Sequence, residues 1–179
     1  MQTWIALLRG VNVGGHNRML MSQLRNALED VGCRSVRTYI QSGNVVFESS
    51  LKSKSTVIKR MEKAIEDEFG FQVPILLMTR AEFVTALENN PFPDAVHEPK
   101  TLHFFFLESN PESVRVDVLA ELLGPRERFH LISRVLYLYA PDGIARSKFA
   151  TSVERKLGTM ATARNFSTIK KLSSLIAAD

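Results

Sequence analysis

Two short, unbroken apolar runs do most to constrain the fold of this chain. Residues 4–8 read WIALL and residues 102–107 read LHFFFL. Runs of this length, bounded by turn residues and lacking polar alternation, are strands buried on both faces. Each opens the same series: helix, hairpin, helix, glycine. After the first run, Leu20, Leu24, Ala27, Leu28 and Val31 recur at helical spacing, with Ser22 as N-cap and Gly32 as terminator. VRTYIQSGNVVFE (36–48) alternates around Ser42 and Gly43 and predicts a β-hairpin. A helix over 56–69 ends at Gly70, and VPILLMT (73–79) is a further buried strand. The first half is therefore βαββαβ, the split βαβ pattern of ferredoxin-like folds.

The second run repeats the order. A helix is predicted over 112–122, and RFHLISRVLYLYAP (128–141) is a hairpin turning near Ser133 and Arg134. A helix over 148–157 stops at Gly158. The halves then part. TMATARNF (159–166) leads into a helix carrying Phe166, Ile169, Leu172, Leu175 and Ile176, so the second half is predicted to end in a helix in place of the last strand. Between the halves, a helix over 81–87 precedes NNPFPDAVHEPK (89–100), a Pro- and Asn-rich surface connection. The predicted fold class is α+β, with two ferredoxin-like (βαββαβ-type) subdomains. A first subdomain spans 1–80, a helix and linker 81–100, and a second α+β subdomain with its C-terminal helix 101–179. Little side-chain identity joins the halves, so this is a duplicated topology and not a sequence repeat. A lone ferredoxin-like sheet leaves one face open to water. Strands apolar on both faces predict that this second face is covered, by the other half or by the last helix.

With 179 residues and 45% hydrophobic content, the chain can build one sizeable core or two small ones. Cys33 is the only cysteine, which excludes an internal disulfide and points to a reducing compartment. Arg9 cuts short the opening apolar stretch, which has no basic n-region, so no signal peptide is expected. No run reaches membrane-spanning length. A cytoplasmic location with no membrane partner follows. The net charge of +4 is compatible with an anionic partner without demanding one.

Taken in order, ALLRGVNVGGHNRMLMSQLRNALEDVG, VRTYIQSGNVVF, FGFQVPILLMT, NPFP, LYLYAPDGIARSK and LGTMATARNFSTIKKL resemble the bacterial domain of unknown function 1697 family. The resemblance covers nearly the whole chain, and the combination of RGVNVGG, YIQSGN and TARN carries it. It implies two α+β subdomains of ferredoxin-like type and marks the polar motifs, but assigns no reaction. Where that family usually has lysine, this chain has His16. Both can be cationic, which keeps an anion-facing role and removes a specific catalytic histidine.

The glycine loop RGVNVGG (9–15) fits neither nucleotide-loop mechanism. A Rossmann fingerprint needs glycine where Asn12 stands, and a P-loop needs Lys then Ser or Thr where His16 and Asn17 stand. Gly14 and Gly15 then supply positive φ for a strand-to-helix loop, or their amides join Arg9 and Asn12 in an anion pocket. In QSGN (41–44), Ser42 and Gly43 suit a tight turn, while the Gln41 and Asn44 amides exceed what a turn requires. Ser147 and Asn165 are fair N-caps. Lys148 and Arg164 therefore stand near positive helix ends, where a cation becomes useful if an anion binds; His16 and Arg18 precede the first helix in the same sense.

Conventional catalysis finds little support. His16, His97, His103 and His130 lack metal-ligand spacing, and no G-x-S-x-G elbow occurs. No cofactor or metal is implied. Cys33 reads as a small buried hydrophobe. Asp142 is the one carboxylate near the C-terminal polar motifs. Tyr39, Phe47, Tyr137 and Tyr139 lie on hairpin strands without the RNA-recognition sequence of an RRM.

The expected function is binding of an anionic, phosphate-bearing ligand or nucleic acid. The expected site unites Arg9, Asn12, Gly14 and Gly15 with Gln41, Ser42 and Asn44, and with Ser147, Lys148, Thr162, Arg164 and Asn165. The alternatives are an enzyme acting on a phosphorylated or nucleic-acid substrate with Asp142 or His16 assisting, and a structural or assembly protein without a ligand.

Overall fold

The apolar run at 4–8 becomes the inner strand of a sheet. In the computed structural model, which describes residues 1–177, β1 (Gln2–Leu8) pairs antiparallel with β3 (Asn44–Ser49) and β4 (Ile75–Thr79). With β2 (Arg34–Tyr39) outside β3, the order is β2-β3-β1-β4. Ala6 stands opposite Val45 and Leu77, and Ile5 opposite Val46 and Met78. Side chains alternate across a strand, so Trp4, Ala6, Leu8, Val45, Phe47 and Leu77 form one core with α1 (Met21–Asp30) and α2 (Lys54–Phe69). Those helices contribute Leu24, Leu28, Val57, Met61 and Ile65. Ile5, Leu7, Val46 and Leu76, on the other face, are also buried. That double burial is why β1 carries no polar alternation. The β2–β3 register shifts between Arg34 and Arg37, which marks a bulge in the outer strand.

The ends of α2 follow local chemistry, and the start of α1 does not. Ser53 accepts from the Thr56 amide at the start of α2, and Gly70 closes that helix at φ 75°. The expected cap at Ser22 is not the cap. α1 starts at Met21, with Leu20 in extended backbone at the N-cap position and no side-chain cap bond. The buried stripe Met21, Leu24 and Leu28 sets this start, leaving Ser22 exposed in the first turn. α3 (Arg80–Glu88) follows β4 directly, and a 3-10 turn at Pro93–His97 interrupts the connecting segment.

The second sheet has the same strand order. β5 (Leu102–Leu107) pairs with β7 (Val135–Tyr139) and β8 (Ala161–Asn165), and β6 (Arg128–Ile132) lies outside β7, giving β6-β7-β5-β8. Here the sequence expectation is corrected. The last strand is present, and α6 (Phe166–Ala177) follows it instead of replacing it. Its sequence, ATARN, has one β-branched residue and looks like a turn leading to a cap. It is a strand because β5 offers a free edge: Phe106 stands opposite Thr162 and Phe104 opposite Arg164. α4 (Ser113–Ala120) and α5 (Lys148–Leu157) cover one face through Leu119, Phe149, Val153 and Leu157, packed on Phe105, Leu107, Leu136 and Leu138.

The chain divides into two compact units, one of residues 1–85 with the segment starting at Lys171, the other of residues 86–170. Among the described residues, no helix is long and apolar enough to cross a membrane.

His103 gives the second unit a pH dependence. The side chain is buried on β5, its Nε2 has no hydrogen-bond partner, and burial pushes its pKa below the ordinary 6.5 against a weaker opposing hydrogen bond with the Lys100 backbone. A lowered folded-state pKa means that the unfolded chain takes up a proton first as pH falls. Stability is therefore fully present above the ordinary histidine range and declines as pH drops through it. Urea unfolding at pH 7.5 and pH 5.5 should show this loss in the parent chain and a smaller loss in His103→Gln. Equal losses in the two proteins would remove His103 as the cause.

Candidate functional site

The first loop leaves the sheet under close control. At the end of β1, the Leu8 amide donates to the Gly43 carbonyl at 2.8 Å and the Arg9 amide to the Pro74 carbonyl at 3.0 Å. The chain then forms a miniature hairpin. Val13 bridges His16, and Gly14 and Gly15 between them hold φ of 58° and 80°. Two successive positive φ values are the signature of a type I′ turn, so the paired glycines answer a backbone requirement.

Two asparagines lock this loop. Asn12, at φ 54°, accepts from the Met19 amide at 2.8 Å through Oδ1. Its Nδ2 donates to the Met19 carbonyl at 2.9 Å and to the Gln41 carbonyl at 2.8 Å. Asn17, at φ 48°, donates to the Gly10 carbonyl at 3.0 Å. The Asn12 amide is thus spent on joining the glycine loop to the β2–β3 turn. Asn44 has a similar role in that turn: it is buried, and its Nδ2 donates to the Tyr39 carbonyl and the Ser42 hydroxyl, each at 3.0 Å. Of the thirteen positive-φ positions among the described residues, seven lie in 10–17 and 40–43. Such a concentration of constrained backbone is common where a site must be held in shape.

Between these loops lies a cleft of about 520 Å³ lined by Asn12, Gly15, Arg18, Met19, Leu20, Gln23 and Gln41. Its size falls in the range of small-molecule sites. No carboxylate lines it. The first 47 residues hold only two, Glu29 and Asp30, both at the C-terminal end of α1, against five arginines and no lysine. Arg25 is engaged by the Thr38 hydroxyl at 2.8 Å. Arg18 and the Gln23 and Gln41 side chains are exposed and make no hydrogen bond or ion pair among the described residues. The uncapped N-terminus of α1 begins beside Leu20, with no acidic residue in its first turn.

The second unit treats its expected site residues differently. Ser147 caps α5 by accepting from the Ala150 amide at 2.9 Å, and Asn165 caps α6 by accepting from the Thr168 amide at 3.0 Å. Both side chains are thereby committed to helix ends. Lys148 is exposed at the start of α5. Arg164 is half-buried on β8 and donates to the Ala163 carbonyl at 2.8 Å; burial pushes its pKa down to about 10, which leaves it charged at neutral pH. Thr162 is buried on the same strand. Asp142 is held by Arg126 at 2.7 Å. Phe47 and Tyr137 are fully buried, and Tyr137 donates to the Ala86 carbonyl at 2.6 Å. Burial pushes the Cys33 thiol up to about 11, which keeps it protonated and unreactive at neutral pH. Among the described residues, no cluster of His, Cys, Asp or Glu could hold a metal ion.

Residues 1–137 match the family described as protein of unknown function DUF1697. The chain belongs to the DUF1697 family. The DUF1697 match takes in both loops of the cleft and stops short of Ser147, Lys148 and the β8 residues. No curated protein matches the chain. Among solved structures, the conserved bacterial protein SP0830 from Streptococcus pneumoniae is similar. It is 23% identical with a TM-score of 0.74, over 97% of this chain and 98% of that one. That likeness bears on the fold of this DUF1697 protein alone.

Of the expected first-unit residues, Asn12, Gly15 and Gln41 line the cleft, joined there by Arg18, Met19, Leu20 and Gln23. In the sequence Arg18 reads only as a cation before a helix, and Gln23 belongs to no motif. The signal that finds them is the absence of Asp and Glu over residues 1–28 in a chain where charged residues make up 23%.

Proposed function

We propose that the cleft between residues 9–23 and the β2–β3 turn binds a phosphate-bearing ligand. The observation that carries this reading is a cleft with one unpaired guanidinium, two unpaired carboxamides and no carboxylate. A guanidinium matches phosphate oxygens with a planar fork, which a lysine cannot do. The start of α1 adds uncapped amides and a positive dipole end beside Arg18. The loops are held in place before any ligand arrives, which lowers the ordering cost of binding. The proposal rests on first-unit residues alone. No carboxylate or histidine lines the cleft, so its wall offers no group for general acid–base catalysis near neutral pH.

The test is a thermal-shift screen of the full chain against nucleotides, phosphosugars and short RNA and DNA, followed by titration of the hits. Arg18→Ala should weaken binding about tenfold or more, the loss expected for a charge-assisted hydrogen bond. Arg164→Ala should leave it unchanged. If no phosphate-bearing compound stabilises the protein, or if Arg18→Ala binds as the parent does, the proposal is wrong.

A further inference from the structure

The cleft carries more than an anion site needs, and the surplus has a pattern. Gln23 comes from the first turn of α1 and Gln41 from the β2–β3 turn, so two separate elements each bring an unpaired carboxamide to one cavity. A carboxamide places a donor beside an acceptor, the arrangement that pairs with the edge of a nucleobase. Leu20 and Met19 add apolar lining to the same cleft. Leu20 is 61% exposed although apolar, and Val13 (64%) and Ile40 (50%), on the two loops that frame the cleft, are exposed in the same way. These three are half of the six large exposed hydrophobic residues among those described. A flat, weakly polar ring is a group that such a rim could cover.

Building on the anion-binding reading, we infer that the ligand is a nucleotide, its phosphate on Arg18 and the start of α1 and its base edge on Gln23 and Gln41. A free mononucleotide and a nucleotide at the end of a strand share this chemistry. A phosphosugar would satisfy Arg18 but meets the carboxamides with single hydroxyls, where a base edge offers a donor and an acceptor side by side. Binding also requires no acidic group on the wall, and none is present.

The experiment is isothermal titration of the full chain with each of the four ribonucleoside monophosphates, ribose 5-phosphate, inorganic phosphate and a trinucleotide. It is repeated with Gln23→Ala, Gln41→Ala and Arg18→Ala. All three side chains are exposed, and circular dichroism is the check that each variant keeps its fold. At least one nucleotide should bind about tenfold more tightly than ribose 5-phosphate. The glutamine variants should lose that margin while ribose 5-phosphate binding stays the same. Tighter binding by the trinucleotide than by any monophosphate assigns the ligand to a strand; the reverse assigns a free nucleotide. If ribose 5-phosphate binds as well as every nucleotide, or the glutamine variants keep the parent's margin, the nucleotide inference is overturned and the anion site stands. If Arg18→Ala changes nothing, both fall.

Discussion

Replacing Gly43 with alanine should destabilise the first unit by about 2–5 kcal/mol, the sum of a left-handed backbone penalty and of overpacking. Gly43 sits at φ 75° in the β2–β3 turn, and a Cβ there would lie 2.6 Å from Leu8 Cβ and 2.8 Å from Val11 Cγ2. Neither atom can swing away. Leu8 is at the end of β1, with its amide bonded to the Gly43 carbonyl, and both Leu8 and Val11 are buried. Gly15→Ala is the matching control. Gly15 has φ of 80°, but nothing lies within 4 Å of the Cβ position, so only the backbone penalty of about 1–2 kcal/mol applies. Urea unfolding of the two variants beside the parent separates the terms. Equal losses would mean that the close approach of turn and strand contributes nothing.

Asn12→Ala should cost about 4 kcal/mol and abolish the phosphate binding proposed for the cleft. Three hydrogen bonds disappear at about 1 kcal/mol each, and alanine dislikes the left-handed backbone at φ 54°. Two companions divide the effect. Asn12→Gly loses the same bonds but relieves the backbone, so it should be the more stable by about 1 kcal/mol. Asn12→Asp keeps the acceptor for the Met19 amide and loses both donors, while placing a negative charge on a wall proposed to face phosphate. Equilibrium unfolding and ligand titration measure the two consequences separately. Unaltered stability of Asn12→Ala would show that the loop keeps its shape without the asparagine.

Most of the fold was legible because burial and capping leave marks in the sequence. The runs at 4–8 and 102–107 are apolar because both sheet faces are buried. α5 begins after Ser147 and ends before Gly158 as its caps announce. The two misses share a cause. β8 is a strand because β5 has an edge to pair with, and α1 starts at Met21 because that side chain enters the core. Both are decided by tertiary partners, which local chemistry does not display. The cleft was half legible for the same reason. RGVNVGG and QSGN stood out as motifs, yet their asparagines hold the loops together. The residues left facing solvent, Arg18 and Gln23, have no motif of their own. Ser147 and Asn165 were legible as caps, and capping is the role their side chains fill here.

The bulge between Arg34 and Arg37 also bears on how this protein lives in a crowded solution. β2 is the outermost strand of its sheet, and a straight, apolar outer strand invites a strand of another molecule to add to it. The register shift breaks the ladder that such an addition would extend, and the exposed Arg34 would bring like charges together at every join. In the second sheet the outermost β6 is guarded by Arg128, whose guanidinium stacks 4.9 Å from the Tyr139 ring and 5.4 Å from that of Phe92, and by the exposed His130. Two sheets built around strands apolar enough to drive fibril growth therefore each end, on the hairpin side, in a border that resists it.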